Sequence, residues 1–294
     1  MPRGVRGSSW EASGVTIGVD VFDGNGQVDW KSAKANGNVS FALVRATEAT
    51  MLDEQYPNYI TQCAAQGIRS SAWMFFHWTG ASPEAQATAL LNAIGKPDKR
   101  GFPPAIDVEF PHGRLGLTPS QCRDLLERCV RVVHDAIGVW PMIYTSKVVA
   151  EDPAQLDNVL AGSDLGNCPL WVKYWPFPEG SQAVYSPAQV AALSPPHVPL
   201  PWGTAWVVQQ TQGDATNLPG FKTKVDMNRV HVVQQGDVGD TVKLIQRCAG
   251  GLTVDGSFGP KTTSRIRELQ LAAGLYGDAV VGLDTWPLLL WKNA

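Results

Sequence analysis

Several marks that would assign a chain to a particular chemistry are missing from these 294 residues. The five cysteines, at positions 63, 122, 129, 168 and 248, form no CxxC pair and leave one over, so neither a zinc site nor a disulfide framework is indicated. In a helical stretch Cys122 and Cys129 would lie two turns apart, roughly 10 Å along one face, too far to bond each other. Buried free thiols are the simpler reading. There is no basic excess: the net charge is -3 and the pI near 6.0, which gives no electrostatic reason for a nucleic-acid partner. No run of eighteen apolar residues occurs, so membrane insertion is not expected. The opening MPRGVRGSSWEASG carries basic residues but no apolar core and no small-residue cleavage site, so synthesis in the cytoplasm without a signal peptide is expected. The motifs GxSxG, GxxxxGK[ST] and GxGxxG are absent, which removes the usual signs of a serine triad or a phosphate cradle. His77 has no second His or Cys at ligand spacing and reads as a hydrogen-bonded rim residue; no metal and no cofactor are expected.

What is present is an ordinary globular balance, 44% hydrophobic and 17% charged, with eleven tryptophans. Short β-rich runs alternate with helical ones: VTIGVDVF from Val15, FALVRAT from Phe41, SSAWMFFHW from Ser70, PPAIDVEF from Pro103 and WPMIYTS from Trp140. Between them, SQCRDLLERCVRVVHDAIG carries Leu125, Cys129, Val132 and Val133 as a stripe, with Thr118 or Ser120 as cap and Gly138 as stop. PEAQATALLNAIG, opened by Ser82 and Pro83, is a second helix. After residue 168 the strands PLWVKYW, AWVVQQT and KVDMNRV follow with little helical signal, and seven prolines fall between Pro176 and Pro201. An α/β barrel with fewer helices on its last strands fits this rhythm; an open doubly wound sheet is the alternative. Composition shifts again near Gln234. Two helical patterns follow, one with Val242, Leu244, Ile245 and Cys248, the other with Ile266, Leu269, Gln270 and Leu271, and VDGSFGPKT and VVGLDTW read as a half-repeat.

The candidate chemistry lies in AIDVEF. Asp107 and Glu109 are two apart, so in a strand both point to one face. A strand of Ala, Ile, Val and Phe has no structural use for two acids there, because unpaired charges are costly to bury. Two such carboxyls repel, so one should keep its proton near neutral pH, as a general acid must. Asp20 in IGVDVF and Asp226 in KVDMNRV fall in the first and last strand patterns, and in a barrel strand ends meet at one rim. Singly, a strand-end Asp is more often a turn residue; together with the DxE pair the four suggest one acidic cleft. Aromatic residues at strand ends suit sugar stacking, and Tyr144, Trp175 and Trp78 are the ones assigned to the cleft.

The runs IGVDVFDGNGQVDW, VRATEA, FFHW, AIDVEF, MIYTS, LWVKYW and VDMNRV, in this order, resemble glycoside hydrolase family 25, the Chalaropsis-type lysozymes, over roughly residues 15 to 232. The resemblance implies an irregular TIM-like (β/α)5(β)3 barrel and hydrolysis of the β-1,4 bond between N-acetylmuramic acid and N-acetylglucosamine. It implies Glu109 as general acid, with Asp107, Asp20 and Asp226 as acidic companions. It also implies net retention aided by the substrate's own acetamido group, which Asp107 would orient and Tyr144 help to hold. Two departures from the family pattern stand out: Phe22 and Asp23 where a small polar residue is usual, and Gln209-Gln210 where a Gln-aromatic pair is usual.

The tail from Gly236 resembles the type 1 peptidoglycan-binding domain, a three-helix all-α module, through GDVGDTVKLIQR, VDGSFGPKT and VVGLDTW. The expected division is an extension at 1–14, a catalytic barrel at 15–232 and a wall-binding module at 236–294. Bacterial peptidoglycan is then the partner, a monomer is expected, and the site of action is the cell wall. A wall hydrolase without its own signal fits a phage endolysin that reaches the wall through a holin. The rival reading is a non-catalytic wall-binding or virion structural protein on a degenerate glycosidase scaffold.

Overall fold

The computed structural model describes residues 16–110, 115–146 and 159–292; the extension expected at 1–14 lies outside them. Nine strands form one sheet: β1 (Ile17–Val21), β2 (Val39–Glu48), β3 (Met51–Leu52), β4 (Arg69–Phe75), β5 (Ala105–Asp107), β6 (Met142–Ser146), β7 (Leu170–Lys173), β8 (Val208–Ala215) and β9 (Val225–Val230). Neighbours run β1-β9-β8-β7-β6-β5-β4-β2, and β1 pairs with β2, which closes eight strands into a barrel. All pairings around the ring are parallel except those of β9, which is antiparallel to both β8 and β1. The open sheet is thereby excluded. β3 is a short hairpin return on β2.

Helices cover the early strands: α1 (Trp30–Gly37), α2 (Tyr56–Ala65), α3 (Pro83–Ile94) and α4 (Pro119–Ile137). α4 starts on a reciprocal cap, in which the Thr118 side chain accepts from the Gln121 amide and the Gln121 side chain accepts from the Thr118 amide. It stops at Gly138, whose φ of 78° suits glycine. Its buried face holds Cys122, Leu126, Cys129, Val130 and Val133; Leu125 and Val132, expected in the stripe, flank it half-buried. The rule of three-and-four spacing was right and its phase slightly off. Between β7 and β8 stands the short α5 (Pro187–Ala191). The proline-rich stretch lies along the outside of the barrel, where Val190, Leu193 and Ser194 give carbonyls to Arg229; only Glu179 from it reaches the cleft described below.

Strand alternation separates two cores. Ile17, Val19, Val21, Ala42, Val44 and Ala46 face the helices. Phe41, Leu43, Trp73, Ala105, Met142 and Trp171 fill the barrel. Gly18 belongs to this interior: a Cβ there would sit 2.2 Å from the Phe41 ring, so β1 must carry glycine where β2 sends its phenylalanine inward.

The tail forms α6 (Asp240–Ala249), α7 (Pro260–Ala272) and α8 (Thr285–Leu290). Its repeat is longer and sharper than the half-repeat read from sequence. The Gln246 amide bonds Asp255, Gly256, Ser257 and Thr262, and the Gln270 amide bonds Asp278, Ala279, Val280 and Thr285 in the same way. The units to align are therefore DGSFGPKT and DAVVGLDT, each closed by a buried glutamine. Leu271, expected in the apolar stripe, is 60% exposed. The module sits under the amino ends of the barrel strands. Trp286 Nε1 donates to the His231 carbonyl, Trp291 Nε1 donates to the Gly101 carbonyl, and Arg69 is salt-bridged to Asp284. Among the described residues no helix is long and apolar enough to cross a membrane.

Candidate active site

The opposite end of the barrel, where the parallel strands finish, opens into a cleft of about 300 Å³. Asp20, Asp107, Glu109 and Asp226 all line it, and so do Tyr144 and Trp175. Six of the seven residues assigned from sequence thus come together. Trp78 does not: it is 6% exposed, its ring stacks on Phe110, and its Nε1 donates to the Glu109 carbonyl at 2.6 Å. It is a prop beneath Glu109, not a sugar platform.

Strand geometry explains the convergence. β5 ends at Asp107, but the ladder runs on, with the Val108 amide donating to the Tyr144 carbonyl at 2.9 Å. Extended backbone therefore carries Glu109 to the same face as Asp107. Asp20 and Asp226 are direct partners across the antiparallel β1–β9 ladder, so their side chains meet over the barrel mouth.

Gln210 ties the groups together. Its carbonyl oxygen accepts from Tyr144 Oη and Trp175 Nε1, each at 2.8 Å, and its amide nitrogen donates to Asp20 and Asp226, each at 3.0 Å. Two donors on one side and two acceptors on the other fix the amide's orientation. Asn228 adds a 2.6 Å bond to Asp20, and the Asp214 amide a 2.6 Å bond to Asp226. Gly213 leaves room for Trp175, since a Cβ there would fall 2.4 Å from the indole.

Burial and crowding set the charges. Asp107 is pushed well above the usual carboxylate range, first by burial and then by Glu109 and Asp20. Asp20 is pushed up to about 8 by burial and by Asp226, against the bonds from Gln210 and Asn228. Asp226 is pushed up to about 6, mainly by burial. Burial also lifts the Tyr144 hydroxyl, which stays a neutral donor. Of the DxE pair, Asp107 is the member whose carboxyl burial pushes up. Glu109, the general acid that the family resemblance implies, is salt-bridged to Lys173 Nζ at 3.0 Å. One Asp107 oxygen, Oδ1, is buried with no hydrogen-bond partner, an expensive arrangement in a protein interior and one that a ligand donor would relieve.

Sequence reasoning gave no role to Lys173, Arg45 or Gln210, and all three line the cleft. Each stands two residues after an inward apolar residue, Trp171, Leu43 and Val208, so the alternation that found Asp107 and Glu109 would have found them too. Arg45 is held by Asp23, Glu48 and Asp53, and its guanidinium lies 4.8 Å from the ring of Phe22, which is 42% exposed at the rim. His77 is bonded to Glu48 at 3.2 Å. No group of three or more His, Cys, Asp or Glu among the described residues is arranged to hold a metal ion. Another polar cavity, of about 320 Å³, opens at the seam of barrel and module, lined by Arg69, Asp278 and Asp284 among others, far along the strands from these acids.

An acid-lined, aromatic-walled cleft over the carboxyl end of an α/β barrel is the layout of a glycoside hydrolase. Comparison with known proteins makes the class particular: the chain belongs to the glycosyl hydrolases family 25, whose model matches residues 19–191. The model of a peptidoglycan binding domain matches residues 239–289. The chain is 30% identical to Lysozyme M1 of Streptomyces globisporus over 174 residues, which are 56% of each chain. It is 26% identical to the autolytic lysozyme of Clostridium acetobutylicum over 279 residues, 91% of this chain and 76% of that one. A bacterial lysozyme structure from Streptomyces coelicolor shares the fold, with a TM-score of 0.58 and 24% identity over 74% of this chain and 92% of that one.

Proposed function

We propose that this chain is a muramidase, cutting the β-1,4 bond between N-acetylmuramic acid and N-acetylglucosamine in bacterial peptidoglycan. The observation that carries the reading is the unpartnered, buried Asp107 oxygen beside Glu109 in an acid-lined cleft. A carboxylate there can accept the N–H of a 2-acetamido group at the sugar about to be cleaved. Polarised in this way, the acetamido oxygen attacks the anomeric carbon as Glu109 gives its proton to the departing 4-oxygen. Water then opens the cyclic intermediate and returns a proton to Glu109, and two inversions leave net retention. Tyr144 and Gln210 border the same space and keep Asp20 and Asp226 fixed.

The proposed division of labour is a barrel at 15–232 that cuts and a module at 236–294 that holds wall material. Membership of the family and the binding-domain match support it. The test is digestion of purified walls followed by borohydride reduction. Reduced muramic acid is expected; reduced glucosamine, or binding without clearing, would sink the proposal. Glu109→Gln should lose at least a thousandfold in kcat and Asp107→Asn roughly a hundredfold or more, both still pelleting with walls.

A further inference from the structure

Lys173 is the one lysine that lines the acidic cleft among the described residues, and it is in ion-pair contact with Glu109 at 3.0 Å. Its ammonium also lies 4.6 Å from the Trp175 ring, and its side chain is only 29% exposed, so it is fixed at its place and does not sweep through solvent. We propose that Lys173 is a positioning residue that decides which member of the Asp107–Glu109 pair carries the proton while the cleft is empty, and thereby sets the pH window of cleavage. This rests on the muramidase reading above.

The argument is one of placement. Two carboxyls two residues apart in a shared desolvated site titrate as a unit, and an uncompensated pair would share its proton according to burial alone. The ammonium touches only Glu109 of the two. It therefore favours Glu109 as carboxylate and leaves the proton on Asp107, whose free oxygen has no bond to lose. Burial works against the charge of Lys173, yet Glu109, with Asp107 and Asp226 behind it, lifts the amine above the ordinary lysine value. When a substrate N–H reaches Asp107 it stabilises that residue's ionised form, and the proton becomes available to Glu109. The bond to Lys173 must then loosen for Glu109 to donate.

The other charged and titratable groups around the pair come from every neighbouring element. Asp20 on β1 and Asp226 on β9 add negative charge, Tyr144 on β6 stays neutral, Arg45 on β2 is already neutralised by three acids, and Asp214 and Glu179 stand at the rim. Among the described residues no other cation lining the cleft is salt-bridged to Glu109, so removing Lys173 takes away the ammonium that contacts the pair.

The test is the pH profile of kcat/KM on purified walls for the wild type, Lys173→Met and Lys173→Arg, with melting curves for each. An opposite charge this close depresses a carboxyl by roughly one to three pH units, so Lys173→Met should move both limbs upward by at least about one unit. Lys173→Arg should restore the original limbs. A folded Lys173→Met with unmoved limbs would overturn the proposal. Should Met be poorly tolerated, Lys173→Gln gives the same comparison. Carbon-13 NMR titration of the Glu109 and Asp107 carboxyls reads the shift without turnover. It therefore separates a failure of this inference from a failure of the muramidase reading, which would show as absent cleavage by the wild type.

Discussion

Asp20 and Asp226 stand directly opposite each other in the β1–β9 ladder, a pairing that costs stability wherever both are ionised. Asp20 is held up at about 8 against an ordinary value of 3.8. Below about pH 4 the carboxyl is neutral both folded and unfolded, and its effect is nil. Between about 4 and 8 the unfolded chain ionises while the fold keeps the proton, so stability falls as pH rises and levels off above 8. Asp20→Asn abolishes this titration while keeping an oxygen for Asn228. It should stabilise the protein by about 1–2 kcal/mol at pH 8 and by almost nothing at pH 4, at the expense of activity. Urea unfolding at the two pH values checks this; an equal effect at both would refute it. Stability surrendered at a cluster of acids is what a reactive site requires and a structural one does not.

At the scale of elements, the site is the last inward layer of a barrel whose lower layers are hydrocarbon. Gly18 below Asp20, Leu43 below Arg45, Ala105 below Asp107 and Trp171 below Lys173 show the same step of two residues from core to chemistry. The helices outside hold this arrangement in place. For α4 the cap is the sensitive point: Thr118→Ala removes one half of a reciprocal pair and should cost about 1 kcal/mol, whereas Thr118→Ser should cost little. The shift in the denaturant midpoint measures it, with cleavage rates on walls unchanged at saturating stability because Thr118 is not among the cleft residues. Strand identities were readable from β-rich runs, and every expected strand is present. The phase of the α4 stripe was not, because one position of error leaves the pattern of apolar spacing almost intact.

At the scale of the whole molecule, the module is a floor under the barrel and not a loose tether. One apolar core runs from Phe41, Phe102 and Met142 inside the barrel to Val242, Ile245, Phe258 and Trp286 in the module. Trp286 is fully buried and donates to His231, so Trp286→Ala should cost roughly 3–5 kcal/mol and lower the melting temperature of the barrel together with the module. Calorimetry should show one transition in the wild type, since domains that share a core unfold together. Two separate transitions, with only one moved by the substitution, would contradict this. The module thus lies at the amino ends of the strands and the cleft at the carboxyl ends, on opposite sides of the barrel.

By itself the sequence determined the order of strands and helices, the presence of a second module and the pair of acids in AIDVEF, because each is written in local spacing: two for a strand, three and four for a helix. It also placed Asp20 and Asp226 at strand ends. Only the closed barrel decided that they face each other, that Gln210 bridges them, that Trp78 turns beneath Glu109, and that an ammonium stands against one carboxyl of the pair and not the other. Those facts depend on distances between residues far apart in the chain, and through them on how much water and how much opposing charge each carboxyl keeps; no spacing along the chain encodes that.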